Sequence, residues 1–186
     1  MTIVRDMALA VFFLWVFIDG VVVFRHKTDK VENRDRFSLT LLMLGGPLAY
    51  AISISLAFST IGTMHLMALQ AAGLIVMGIG IVVRSIAIVQ LGRLHTPNVA
   101  VRNDHQLKET GLYRQVRHPS YLGALIAFLG FSLALGNWLS VVVMMGMTSC
   151  IYLYRMHEED AALSAAFGEA YRGYCQRTKR LIPWLY

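Results

Sequence analysis

Residues 64–91 read MHLMALQAAGLIVMGIGIVVRSIAIVQL, with Arg84 the one Lys, Arg, Asp or Glu among them, and this run decides the fold. At about 1.5 Å per residue a helix of this length crosses a hydrocarbon core roughly 30 Å thick. Four further apolar stretches flank it, at 7–24, 37–61, 119–135 and 138–154. Composition agrees: 56% of the 186 residues are hydrophobic and 15% charged, where soluble domains carry about a quarter charged. The excess has to face lipid. The sequence therefore predicts an all-α, polytopic membrane bundle of five transmembrane helices. It forms a single integral membrane domain, with three spans in 1–91 and a loop, a helical hairpin and a tail in 92–186.

Arg5 before the first span gives it the look of a secretory signal. The run is long, lacks a small-x-small cleavage site and ends in Arg25, His26 and Lys27, so it is expected to stay as a membrane helix. The net charge of +6 is distributed unevenly. Basic residues fall in the first loop (Arg25, Lys27, Lys30, Arg34, Arg36), in the second (Arg93, Arg102, Lys108, Arg114, Arg117) and in the tail (Arg155, Arg172, Arg177, Lys179, Arg180). Five spans put these segments on one side, which the positive-inside rule makes cytoplasmic. The outer connections, Gly62-Thr63 and Gly136-Asn137, are too short to carry a site. Basic residues beside anionic headgroups give electrostatic adhesion to membrane lipids, and with no aromatic-interleaved basic groove nucleic acid is set aside. Cys150 and Cys175 suggest neither a disulfide framework nor a thiolate metal site, and read as packing residues.

Within the spans, Pro47 after Gly45-Gly46 predicts a kink, and Gly73, Gly78 and Gly80 read as small residues for close helix approach. Arg84 is read as snorkelling towards the inner surface, and Asp19 as a member of an interfacial ion pair. Thr96-Pro97-Asn98 and Asn103-Asp104 bracket a short hairpin or irregular lid. After Tyr154, Leu163, Phe167, Tyr171 and Tyr174 recur at helical spacing and predict an interfacial amphipathic helix, followed by the aromatic anchors Trp184 and Tyr186.

Three inner-side clusters could carry chemistry: His105 with Lys108; residues 111–113 running into Arg117-His118-Pro119-Ser120-Tyr121; and Arg155 with Glu158, Glu159 and Asp160. The hairpin through Gly136-Asn137 makes the open ends 118–121 and 155–159 neighbours. Pro119 suits a first helical turn, whose free amides favour an anionic group. Glu159 lies one turn after Arg155 on the same face, so one cation and one anion suit a zwitterionic ligand. The bland alternatives are an intrahelical Arg155–Glu159 pair and a capping or interfacial His118. The histidines and acids lack a metal-ligand spacing such as H-E-x-x-H, and no G-x-G-x-x-G follows a strand.

The stretch 111–123, GLYRQVRHPSYLG, strongly resembles the isoprenylcysteine carboxyl methyltransferase family and its relatives, which include phospholipid N-methyltransferases. Glu158-Glu159, Leu163, Phe167-Gly168, Tyr171 and Tyr174 look like that family's closing pattern, so the resemblance covers roughly the C-terminal half. It implies helices whose inner ends enclose S-adenosyl-L-methionine, while a lipophilic methyl acceptor enters from the bilayer. Carried onto this sequence, His105, Gln106, Leu107 and Lys108 look like the loop against the cofactor. Tyr113, His118, Pro119, Ser120 and Tyr121 look like the main pocket, with Glu159 a further ligand and Asn98 a looser match. Arg155 looks like the substrate-facing arginine, and Arg155, Glu158 and Arg117 make the catalytic set. The implied reaction is in-line methyl transfer to a carboxylate of the isoprenylcysteine type, with Glu158 or His118 as base should the acceptor be an amine. No metal is implied. The competing readings are an NADPH-dependent membrane reductase of the sterol type, from which Ser120 and the paired glutamates depart, a phospholipid or amine N-methyltransferase, and a non-enzymatic membrane protein.

Overall fold

The computed structural model describes residues 2–25, 36–92 and 107–186. Among these residues six α-helices follow in order: α1 (Thr2–Arg25), α2 (Arg36–Ala57), α3 (Met67–Leu91), α4 (Pro119–Ala134), α5 (Trp138–Phe167) and α6 (Glu169–Arg177), with a 3-10 turn at Gly111–Arg114 before α4. Among the described residues there are isolated β-bridges but no strands. Three helices, α2 from Phe37, α3 and α5, are long and apolar enough to cross a membrane; α4 is a shorter apolar helix. The chain is thus an integral, multi-pass helical membrane protein, with three full-length candidate spans among the described residues. Large apolar side chains such as Leu14, Phe17, Ile75, Val89 and Val142 point outward, as lipid-facing residues do.

The tightest packing is between α3 and α4, and glycine makes it possible. A Cβ on Gly73 would lie 2.6 Å from the Ala134 nitrogen and 2.7 Å from the Gly130 carbonyl, and Gly80, Gly123 and Gly130 each press on backbone of the opposite helix. Side chains at these positions would force the helices apart. Gly78 has nothing within 4 Å, so the packing stripe uses Gly73 and Gly80 and not all three glycines. α1 lies across both helices, its Phe12 ring stacked on Phe131 with centroids 3.8 Å apart, and α2 packs along α5. Phe12, Met77, Phe128, Phe131 and Met144 form the centre of the core.

The two short connections meet at one end of the bundle. The Met64 amide donates to the Gly136 carbonyl at 2.7 Å and the Trp138 amide to the Gly62 carbonyl at 2.9 Å. Asn137 caps α5 by accepting from the Ser140 amide at 3.1 Å, while its own amide group donates to the Leu56 and Ile61 carbonyls. Gly136, at φ 73°, lets the chain turn where a Cβ would strike the Gln70 amide.

Two expectations need correction. α5 does not end near Tyr154: it runs unbroken to Phe167, and Gly168 at φ 51° then breaks the chain into the short α6. Leu163 and Phe167 thus belong to the long helix, and only Tyr171 and Tyr174 lie on a separate amphipathic segment. Arg84 does not snorkel. It is 8% exposed, and its guanidinium grips Asp19 with two contacts of 2.7 Å, Nε to Oδ1 and Nη2 to Oδ2. Its Nη1 donates to the Ser120 hydroxyl at 3.0 Å and the Ser120 carbonyl at 3.3 Å, so α1, α3 and the start of α4 are joined through one side chain. Pro47, the residue expected to kink the second span, lies inside α2.

Candidate active site

The end of the bundle opposite the two stitched turns gathers the polar residues. His118 precedes α4 and Pro119 opens its first turn, fixing φ where the missing amide costs nothing. The His118 side chain makes no capping bond. It is 3% exposed, and its Nε2 lies 2.7 Å from Asp160 Oδ1 on α5. A carboxylate oxygen only accepts, so Nε2 carries the hydrogen and, in a neutral ring, Nδ1 presents a lone pair. That Nδ1 stands 3.8 Å from Glu159 Oε2.

Arg155 and Glu159 share one face of α5, but the Tyr121 hydroxyl lies between them. It donates to Glu159 Oε2 at 3.0 Å and accepts from Arg155 Nε at 3.3 Å. Arg155, 4% exposed, also donates from Nη1 to the Ser38 hydroxyl of α2 at 3.0 Å. A buried guanidinium needs such partners. The chain Ser38–Arg155–Tyr121–Glu159 therefore connects α2, α5 and α4 at one level.

Asp160 is the point where the tail attaches. The Tyr171 hydroxyl donates to its Oδ1 at 2.6 Å, and Arg180 Nε forms an ion pair with its Oδ2 at 2.9 Å. Burial, reinforced by that bond, pushes the Tyr171 hydroxyl above the ordinary tyrosine range, so it remains a donor. Burial alone would lower Arg180, but Tyr186 and Asp160 hold it above its usual value. The backbone completes the attachment. Val116 and Lys179 form a parallel bridge, the Arg117 amide donates to the Lys179 carbonyl at 2.8 Å, and the His118 amide donates to the Arg180 carbonyl at 3.1 Å. Tyr174 donates to the Tyr113 carbonyl at 2.6 Å, and Tyr113 in turn donates to the Ala87 carbonyl at 3.3 Å. Burial holds both hydroxyls above the ordinary range. An open cleft of about 900 Å³ lies beside Asp160, walled by Arg117, Tyr171, Cys175, Lys179 and Arg180.

Of the residues the sequence singled out, the structure brings His118, Tyr121, Arg155 and Glu159 into one network, with Ser120 beneath it on Arg84. Arg117 is turned elsewhere: its Nη1 donates to the Thr178 carbonyl at 2.8 Å and the Cys175 carbonyl at 3.3 Å, fastening the tail. Glu158 is half-buried and shows no hydrogen bond among the described residues. Leu107 and Lys108 are half-buried in the segment leading to the 3-10 turn; His105, Gln106, Asn98 and the expected hairpin or lid lie outside the described residues. Two contributors, Ser38 and Arg180, escaped sequence reasoning as site residues, and Asp160, though part of the acidic cluster, was given no role there. Asp160 sits next to Glu159 in the acidic run, but nothing in the spacing ties it to His118, forty-two positions away. Among the described residues no group of three His, Cys, Asp or Glu could hold a metal ion.

The profile of the isoprenylcysteine carboxyl methyltransferase (ICMT) family matches residues 71–165, just over half of the chain, and takes in His118, Tyr121, Arg155, Glu159 and Asp160. The chain belongs to that family. Among ICMT relatives, the protein-S-isoprenylcysteine O-methyltransferase of Schizosaccharomyces pombe is 36% identical over 107 residues, covering 56% of this chain and 45% of that protein. A probable protein-S-isoprenylcysteine O-methyltransferase of Oryza sativa subsp. indica is 27% identical over 184 residues, covering 92% of this chain and 96% of that one. The chain thus spans under half of the first relative's length and nearly all of the second's. The solved structure of the eukaryotic intramembrane Ras methyltransferase ICMT superposes with a TM-score of 0.75 at 21% identity, covering 98% of this chain and 67% of that one. At that identity the likeness is one of fold. The ICMT assignment turns the choice away from the sterol-type reductase.

Proposed function

We propose that the chain is an S-adenosyl-L-methionine-dependent methyltransferase that methylates the carboxylate of a lipophilic, isoprenylcysteine-type acceptor at the cytoplasmic face of the membrane. The observation that carries this reading is the 3.8 Å pair of His118 Nδ1 and Glu159 Oε2, with Arg155 held next to it on Tyr121. Two acceptors at that separation, one of them anionic, form a receptor for an ammonium group. The first turn of α4 beside them favours a carboxylate. The residues therefore fit the amino-acid end of S-adenosyl-L-methionine, which supplies an electrophilic sulfonium methyl when bound.

An acceptor carboxylate is ionised near neutral pH and needs no base. Arg155 is the cation that orients it: buried and held from two sides, the guanidinium presents a charge whose direction is already fixed. Catalysis by these residues is then positioning and exclusion of water, which bring nucleophile and electrophile into near-attack geometry. An amine acceptor would instead require proton removal, for which Glu158 is the available carboxylate. Arg117 serves by holding the tail over this end of the bundle. The basic residues in both inner loops and the tail support the cytoplasmic placement.

Calorimetry in detergent with S-adenosyl-L-methionine, S-adenosylhomocysteine and NADPH tests the reading. The two sulfur nucleosides are expected to bind wild type, and Glu159→Ala to weaken both. Binding of NADPH alone overturns it. A methyl-transfer assay on a farnesylated cysteine should lose turnover in Arg155→Ala while cofactor affinity stays near wild type; a collapse of cofactor affinity removes the role given to Arg155.

A further inference from the structure

Asp160 is absent from the motifs that define the network, yet three separate chain segments converge on its carboxylate. His118 Nε2 and the Tyr171 hydroxyl both reach Oδ1, at 2.7 and 2.6 Å, and Arg180 Nε reaches Oδ2 at 2.9 Å. The side chain is one-fifth exposed, so these contacts operate largely away from solvent.

The consequence falls on the tautomer of His118. Two carboxylates compete for the ring's hydrogen, Asp160 at Nε2 and Glu159 at Nδ1. With the hydrogen on Nε2, Nδ1 stays an acceptor and the gap to Glu159 stays open to a cationic donor. With the hydrogen on Nδ1, the ring would bond to Glu159 itself and close that gap. The shorter contact, 2.7 Å against 3.8 Å, gives Asp160 the hydrogen. Tyr171 and Arg180 hold Asp160 in place for this task, and the Arg180 carbonyl holds the His118 amide as well.

We propose that Asp160 is a positioning residue: docked against Tyr171 and Arg180 of the C-terminal segment, it fixes His118 with Nδ1 turned towards Glu159, so that the ammonium-binding pair exists only while the tail is seated. The proposal rests on the reading of His118 and Glu159 as the ammonium end of the pocket, but its structural half can be tested without any ligand.

The test is ¹⁵N NMR of histidine-labelled protein in detergent, with the His118 signals assigned by their loss in His118→Gln. Unliganded wild type should show the Nε2–H tautomer. Asp160→Ala should lose that signature and bind S-adenosyl-L-methionine about tenfold more weakly or worse, as expected for loss of a hydrogen bond to a charged group. Asp160→Asn, whose amide oxygen still accepts, should restore both in part. The effect should fall on KM for the cofactor, with KM for the acceptor little changed. A folded Asp160→Ala protein that keeps the Nε2–H signature overturns the proposal. Should that variant not fold, Tyr171→Phe decides: it should shift the tautomer balance and weaken the cofactor severalfold, and no change in either overturns the proposal. If wild type does not bind the cofactor while the tautomer responds as described, the pocket assignment fails and the positioning role of Asp160 stands.

Discussion

Replacing Asp19 by alanine should do more damage than its place at the end of α1 suggests. The Arg84 guanidinium has a side-chain exposure of 10% and meets both carboxylate oxygens at 2.7 Å. Without Asp19 a permanently charged group is left inside the bundle with, among the described residues, the Ser120 hydroxyl and carbonyl as its hydrogen-bond partners. Breaking a buried ion pair from one side costs about 3–5 kcal/mol. Replacing both partners removes the stranded charge. Asp19→Ala/Arg84→Met should therefore recover roughly 2 kcal/mol or more of that loss; the lost Ser120 bonds, about 1 kcal/mol each, keep it short of wild type. The assay is a double-mutant cycle of denaturant unfolding in detergent, followed by the fluorescence of Trp15, which sits in the α1 core contact. Additive effects of the two single substitutions, with a coupling energy near zero, would refute the claim that this pair clasps α1 to α3.

Gly130→Ala should destabilise by about 3 kcal/mol, because the new methyl meets the backbone of α3, which cannot yield as a side chain can. Gly78→Ala, in open space on α3, should be neutral or raise the melting temperature slightly; equal effects would contradict the packing account. Asn137→Ala removes a helix cap and two bonds to the turn after α2, and should lower unfolding stability by about 2–4 kcal/mol. The raised Tyr171 hydroxyl stabilises the docked tail fully below its unfolded value of about 10. That contribution is lost as pH rises beyond 10 towards the folded value. Tail protection from proteolysis should accordingly be flat from neutral pH to about 10 and then fall, with a shallower fall in Tyr171→Phe.

Hydropathy located the long helices, because a lipid-facing helix must be apolar over its length: the run at 37–61 begins one residue into α2, and those at 64–91 and 138–154 contain the starts of α3 and α5. It failed at the end of α5. Past Tyr154 the residues become polar because the helix leaves its apolar surroundings while its backbone bonding continues, and composition registers only the first of these events. Arg84 was misread for a related reason. Snorkelling is the right default for a lone arginine near a helix end, but Asp19 on another helix offers a partner that no single-helix pattern reveals. In the site, His118 and Glu159 were legible because a tight hairpin dictates that its open ends meet. Ser38 and Arg180 were not, nor was the role of Asp160, since each depends on long-range packing that brings α2 and the tail against α5.

The continuity of α5 also acts as a depth gauge. From the cap at Asn137 to Arg155 lie eighteen helical steps, roughly 27 Å at the standard rise, against a hydrocarbon slab about 30 Å thick. With no break between them, the guanidinium is carried at a constant distance from the opposite leaflet. Thicker or thinner bilayers would shift it relative to the headgroups on its own side, and with it the reach demanded of the lipophilic acceptor proposed above.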